Sequence, residues 1–118
     1  MALKMKKQIN VADDILQVVK ESLDDGKAED IAVINLEGKS SIANYMVVAS
    51  GNSNRHVASL AENLQLKLKS KGYQSIAEGL EKADWVLIDA YDVIVHIFRP
   101  EVREFYSLEK MWSAVKPR

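Results

Sequence analysis

Apolar residues recur at two spacings along this chain, and the switch between them marks out the elements. From Val11 the spacing is helical. Val11, Ile15, Val18 and Val19 share one stripe that Ser22 can extend, Asn10 stands where a capping side chain belongs, Asp13 and Asp14 lie near the positive end, and Gly26 is placed to end the segment. Residues 30–36 (DIAVINL) and 44–50 (NYMVVAS) read as strands, antiparallel because the Glu37-Gly38-Lys39-Ser40-Ser41 link is short. Gly51-Asn52-Ser53-Asn54 breaks the second strand, and Ser53 or Asn54 caps a helix over about 55–71. Its inner stripe is Val57, Leu60, Ala61, Leu64 and Leu68, and Gly72 stops it. Residues 76–80 are a short extended segment.

Residues 84–98 (DWVLIDAYDVIVHIF) carry the most information. Folded as a hairpin about Tyr91-Asp92, they sort into two faces. One carries Val86, Ile88, Ala90, Val93, Val95 and Ile97, and nothing polar, so it is core. The other carries Trp85, Leu87, Asp89, Ile94, His96 and Phe98. Large apolar groups with an acid and a histidine among them suit a protein–protein contact. The same set also suits a second core layer with one satisfied histidine. Pro100 ends the second strand, because it has no N–H for the ladder, and it fits the first turn of a helix. Val102, Phe105, Tyr106, Leu108, Met111, Trp112 and Val115 then suggest one helix, or two broken near Ser107. The expected fold is a single α/β (α+β) domain with a mixed sheet of four or five strands and about three helices. If most helices cover one face of that sheet, the other stays partly open.

Composition narrows the function. A chain of 118 residues is one domain with enough core to fold without staples. It has no cysteine, which removes disulfides, thiolate metal sites and a cysteine nucleophile, and fits a reducing compartment. The net charge of -1 gives no concentrated basic field, so strong non-specific nucleic-acid binding is not expected, and no direct sequence-specific nucleic-acid binding is implied. No apolar run approaches the roughly 20 residues that a bilayer span needs. Residues 1–9 open with a basic stretch that no signal-peptide core follows, and they read as a solvated tail ahead of a cytoplasmic domain over 10–118.

Candidate chemistry is sparse. Ser53, Arg55 and His56 lie at a strand-to-helix junction, where backbone amides, the helix dipole and Arg55 could hold an anion; the alternative is a plain turn with a helix cap. His56 and His96 are the only histidines, too few for a zinc site without cysteine. A triad of Ser50 or Ser53 with His56 and Asp89 lacks any nucleophile-elbow signature. Asp89 and Asp92 could pair on a metal, but their spacing across the turn points them apart, and Asp92 suits a turn-stabilising role. With Glu101, Glu104 and Glu109 they could instead rim the apolar patch and favour a basic partner. Taken singly, each of these acids reads as part of a solvated face. No cofactor is implied.

Five stretches together identify the chain as similar to a known family. They are Gly38-Lys39-Ser40-Ser41-Ile42; Ala49-Ser50-Gly51-x-Ser53-x-Arg55-His56-Val57; Glu78-Gly79; 84–89 with Asp92-Val93-Ile94-Val95-His96; and Glu101-x-Arg103-x-Phe105-Tyr106-x-Leu108-Glu109-Lys110-x-Trp112. In order and spacing they resemble the ribosomal silencing factor (Iojap) family over about residues 10–113. The resemblance implies a non-enzymatic protein that binds the large ribosomal subunit through ribosomal protein number fourteen of that subunit. Small-subunit joining is then blocked sterically and translation repressed, with a possible part in large-subunit assembly. It implies a nucleotidyltransferase-like fold and a homodimer when free. The interface residues would be Trp85, Leu87, Asp89, Asp92, Ile94, His96, Phe98, Glu101 and Glu104. A nucleotidyltransferase-like enzyme is the alternative, but no paired carboxylates follow the Ser50-Gly51 to Ser53 turn to hold two metal ions. One departure is Tyr91, where the family pattern carries glycine, which leaves the shape of that turn open.

Overall fold

The computed structural model describes residues 11–38 and 43–102. Helix α1 (Val11–Asp25) leads into strand β1 (Glu29–Asn35), β2 (Tyr45–Ser50), helix α2 (Asn54–Ser70), and strands β3 (Ile76–Glu78), β4 (Trp85–Ala90) and β5 (Val93–Phe98). The five strands form one mixed sheet in the order β1-β2-β5-β4-β3. Only β2 and β5 run parallel; the other three pairs are antiparallel. Parallel neighbours need a long crossover, and here α2, β3 and β4 supply it. Residues 100–102 enter a helical turn after Pro100, and the rest of the expected third helix lies outside the described residues, as do the residues 1–9 tail and the proposed cap Asn10.

Both helices lie on the same side of the sheet. Ile15, Val18, Val19 and Leu23 of α1 and Val57, Leu60, Ala61, Leu64 and Leu68 of α2 meet Val47, Ala49, Val86, Ile88, Ala90, Val93, Val95 and Ile97 in one core. The stripe predicted for α2 is the buried one, residue for residue. In α1 one expectation fails: Val11 is 49% exposed. It shares the angular position of Val18 but lies seven residues, about 10 Å, nearer the helix start, beyond the core cluster.

Several local devices fix this layer. Ser53 caps α2 with its hydroxyl accepting from the His56 N–H at 3.0 Å. Asp13 and Asp14 do more than complement the helix dipole. The Tyr45 hydroxyl donates to Asp13 at 2.7 Å and the Tyr73 hydroxyl to Asp14, which ties α1 to β2 and to the segment after α2. Gly26 ends α1 for a reason other than the expected one. It is Lys27 that turns to φ 67°, whereas a Cβ on Gly26 would come within 2.5 Å of Leu60 Cδ2, so the missing side chain lets the two helices close.

The hairpin register is the two-residue one, with Ala90 opposite Val93, Leu87 opposite His96 and Trp85 opposite Phe98. Tyr91 accommodates it at φ 65°, a left-handed conformation that glycine adopts at less cost. The turn is held by Asp89, whose Oδ1 accepts the Tyr91 N–H at 3.0 Å; the side chain expected in that role was Asp92. Asp92 contributes through its carbonyl, which accepts from the N–H groups of Asn44 and Tyr45 and so ties the turn to β2.

Candidate interface on the second sheet face

Alternation sends Trp85, Leu87 and Asp89 of β4 and Ile94, His96 and Phe98 of β5 to the face without α1 and α2. Neighbouring strands extend the rows. Glu78, Leu87, His96, Val48 and Ala32 lie side by side across all five strands, and Trp85 and Phe98 line up with Ser50. This face divides into a sealed half and a presented half. Met46, Val48 and Phe98 are buried with Leu36 and Ala43 in a second, smaller core cluster, against which Ile34, Trp85, Ile94 and Val102 pack half-buried. Phe98 was expected to be presented to a partner. At 0% exposure it supports the face from beneath instead. Trp85, Leu87, Ile94 and His96 remain half-buried, and Asp89 and Glu78 are exposed.

Three rings organise the presented half. Trp85 lies 5.3 Å from Phe98 and 5.9 Å from His96, centroid to centroid, and His96 stacks on Phe98 at 6.1 Å with an 18° interplanar angle. The Trp85 indole Nε1–H donates to His96 Nδ1 at 3.1 Å. That nitrogen must therefore be the unprotonated one, which puts the ring proton on Nε2. Burial opposes a charge on the ring and lowers its pKa from 6.5 to about 4. Beside these rings is a shallow depression of about 290 Å³, lined by Glu78, Gly79, Trp85, Leu87 and His96.

Glu78 and Gly79 were missed as site residues, although both stand in the sequence pattern. The signal that would have found them is the pairing of β3 with β4, which sets Glu78 beside Leu87. Gly79 has φ 92°, and a Cβ there would lie 2.3 Å from the Trp85 carbonyl oxygen. Only glycine lets the chain pass this close, and the passage seats Trp85 at the rim of the depression.

Asp89 and Asp92 sit at the turn end of the hairpin. Glu101 lies beyond the other end of β5 and is offset by Arg99 at 3.3 Å. Glu104 and Glu109 lie outside the described residues, as do Met111 and Trp112.

The second candidate site is assembled differently from the anion cradle envisaged. His56 Nδ1 accepts the Asn52 N–H at 3.0 Å, and its Nε2–H donates to the Gly26 carbonyl at 2.8 Å. With the Ser53 hydroxyl on the His56 N–H, this group joins the start of α2 to the end of α1. Of Ser53, Arg55 and His56, only the exposed Arg55 is not engaged in that staple. His56 is bonded to Asn52 and Gly26, not to Asp89, so the imagined triad does not form. Among the described residues no three His, Cys, Asp or Glu side chains group so as to hold a metal ion, and no helix is long and apolar enough to cross a membrane. A larger hollow of about 770 Å³ between α2 and the loop after it is lined by Glu62, Gln65, Leu66, Lys69, Gly72, Tyr73, Gln74 and Ser75. Its aromatic lining residue, Tyr73, is tied to Asp14 of α1 and not grouped with other rings as Trp85 is.

The family model described as ribosomal silencing factor during starvation matches residues 9–118. The chain belongs to the ribosomal silencing factor family. It is 58% identical over 100 residues to the ribosomal silencing factor of Zymomonas mobilis, covering 84% of this chain and 75% of that one. A crystal structure of a Chromobacterium violaceum protein superposes with a TM-score of 0.84 at 40% identity, covering 91% of this chain and 90% of the other. A mouse protein named for mitochondrial assembly of the ribosomal large subunit is 36% identical over 91 residues, which are 73% of this chain and 40% of the mouse one. The silencing factor family is thus described by a regulatory role rather than a catalytic one, and the chain's fold is the fold of its bacterial relatives.

Proposed function

We propose that this silencing factor binds the large ribosomal subunit in the cytoplasm, through ribosomal protein number fourteen of that subunit, and blocks small-subunit joining by its bulk. The observation that carries the reading is the half-buried Trp85, packed at a tilt against Phe98 and His96 on the sheet face that neither α1 nor α2 covers. A large ring held rigidly at a surface loses little conformational freedom on binding, and such residues dominate interface energies. Asp89 and Glu78 on the same face favour a basic partner, as a protein embedded in ribosomal RNA is. Steric blocking needs no bond to be made or broken, so the function is non-enzymatic.

The test is co-sedimentation with purified large subunits, followed by addition of small subunits. The wild-type chain is expected to bind and to reduce joined ribosomes. Trp85→Ala is expected to weaken binding about 30-fold, the effect of losing a hot spot of about 2 kcal/mol. Equal binding by Trp85→Ala would move the contact to another face. The free protein is expected to self-associate, and sedimentation over a dilution series checks whether a dimer uses the same face.

A further inference from the structure

Both histidines in this chain are held in one tautomer, but among the described residues only His56 meets an acceptor for its remaining proton. His56 gives its Nε2–H to the Gly26 carbonyl. His96 accepts from the Trp85 indole through Nδ1, and its Nε2 has no hydrogen-bond partner among the described residues. The ring is half-buried and lines the depression with Trp85, Leu87, Gly79 and Glu78. The Trp85 bond to Nδ1 fixes the proton on Nε2, and the ring lines an open depression, so this donor is placed to meet an acceptor that a partner brings.

We propose that His96 is the hydrogen-bond donor of this interface: its Nε2–H meets a carbonyl oxygen of the basic ribosomal protein, and Glu78, across the depression, pairs with a lysine or arginine next to that carbonyl. The inference rests on the function proposed above and names the chemistry that the face reads. Trp85 acts twice in it, as an apolar contact and as the group that fixes which nitrogen of His96 carries the proton. The acceptor is a neutral carbonyl and not a carboxylate, because Glu78 and Asp89 stand on the same face and repel an anion. Glu78 and His96 flank Leu87 in one row, two strand spacings or roughly 10 Å apart. A peptide carbonyl and the head of a neighbouring long basic side chain can span that distance. Because burial keeps the ring neutral down to about pH 4, the same nitrogen is the donor across the physiological range.

Two measurements on the full chain test this. Nitrogen-15 NMR of the imidazole is expected to show the proton on Nε2 in the free protein, and a shift of that nitrogen when large subunits are added. A proton on Nδ1 overturns the proposal whatever the partner. Co-sedimentation with large subunits then compares wild type with His96→Asn, which keeps an acceptor for Trp85 but cannot reach as far as Nε2. His96→Asn is expected to bind about tenfold more weakly. His96→Gln, whose amide reaches the Nε2 position, is expected to recover most of that loss. Glu78→Gln is expected to bind about threefold more weakly, with a shallower salt dependence. Wild-type binding matched by His96→Asn within twofold would overturn the donor role and leave the ribosomal function standing. No binding by the wild type would remove both.

Discussion

The two faces of the sheet are built from the same strands and yet do different work. On the helix side every inward residue of the hairpin is apolar and fully buried, and the covering stripes of α1 and α2 come from the same chain. On the opposite side only the rows nearest Phe98, Val48 and Met46 are sealed, while Trp85, Leu87, Ile94 and His96 stay half-covered around two polar ring nitrogens. A face that has to fold the protein can be purely hydrophobic, since burial alone supplies the driving force. The face proposed to meet a partner must remain soluble when empty. It therefore keeps its large rings partly buried against one another, satisfies the indole N–H internally, and mixes acids with its apolar groups.

The contrast can be tested by substitution. Ile88→Ala on the helix side and Phe98→Ala on the other are both expected to cost about 3–4 kcal/mol, because both side chains are fully buried; Leu87→Ala, half-exposed beside them, is expected to cost less than about 1 kcal/mol. Urea denaturation measures all three. A small effect at Phe98 would mean that the second cluster is surface and not core.

Acid should act on the second face through His96. Its folded pKa of about 4 lies below the unfolded value of 6.5, so the folded state binds fewer protons between the two. Stability is then fully present above about pH 6.5, falls as pH drops toward 4, and loses at most about 3 kcal/mol from this group. The stability difference between wild type and His96→Phe, read from melting curves across this window, is expected to move in the variant's favour as pH falls, since the variant has no proton to take up there.

Gly79→Ala comes next. It would force a positive φ on alanine and press a Cβ against the Trp85 carbonyl, at a cost of about 2 kcal/mol, and it should displace Trp85 as seen by its fluorescence. Tyr91→Gly is expected to have the smallest effect and the opposite sign. It relieves the left-handed conformation at the turn and should stabilise the chain by roughly 0.5–1 kcal/mol without altering ribosome binding. A loss of binding by this variant would show that Tyr91 itself touches the partner.

Much of this was legible in the linear chain because periodicity is a local property. The stripe of α2, the apolar set of the hairpin and the cap of α2 each depend on residues within one or two turns or on strict alternation; the first two stand in the structure as read, and of the two cap candidates, Ser53 and Asn54, it is Ser53 that caps. The family motifs likewise pointed to the silencing factors through order and spacing alone. What spacing could not assign is whatever depends on non-local neighbours. Val11 has the correct angle but lies past the edge of the core. Phe98 alternates with the presented residues and is nevertheless sealed, because the segments around Leu36, Ala43 and Val102 pack near it. At Ser53, Arg55 and His56 the sequence left an anion site and a plain capped turn side by side, and the capped turn stands, with the His56 Nε2–H donated to the Gly26 carbonyl. The role of Glu78 and Gly79 appears only when β3 pairs with β4. The sequence by itself therefore determined which residues could be buried and which family they serve. The tertiary structure decided which polar groups are spent inside the fold, as both ring nitrogens of His56 are, because a hydrogen bond is settled by what comes within about 3 Å of it and not by what precedes it in the chain.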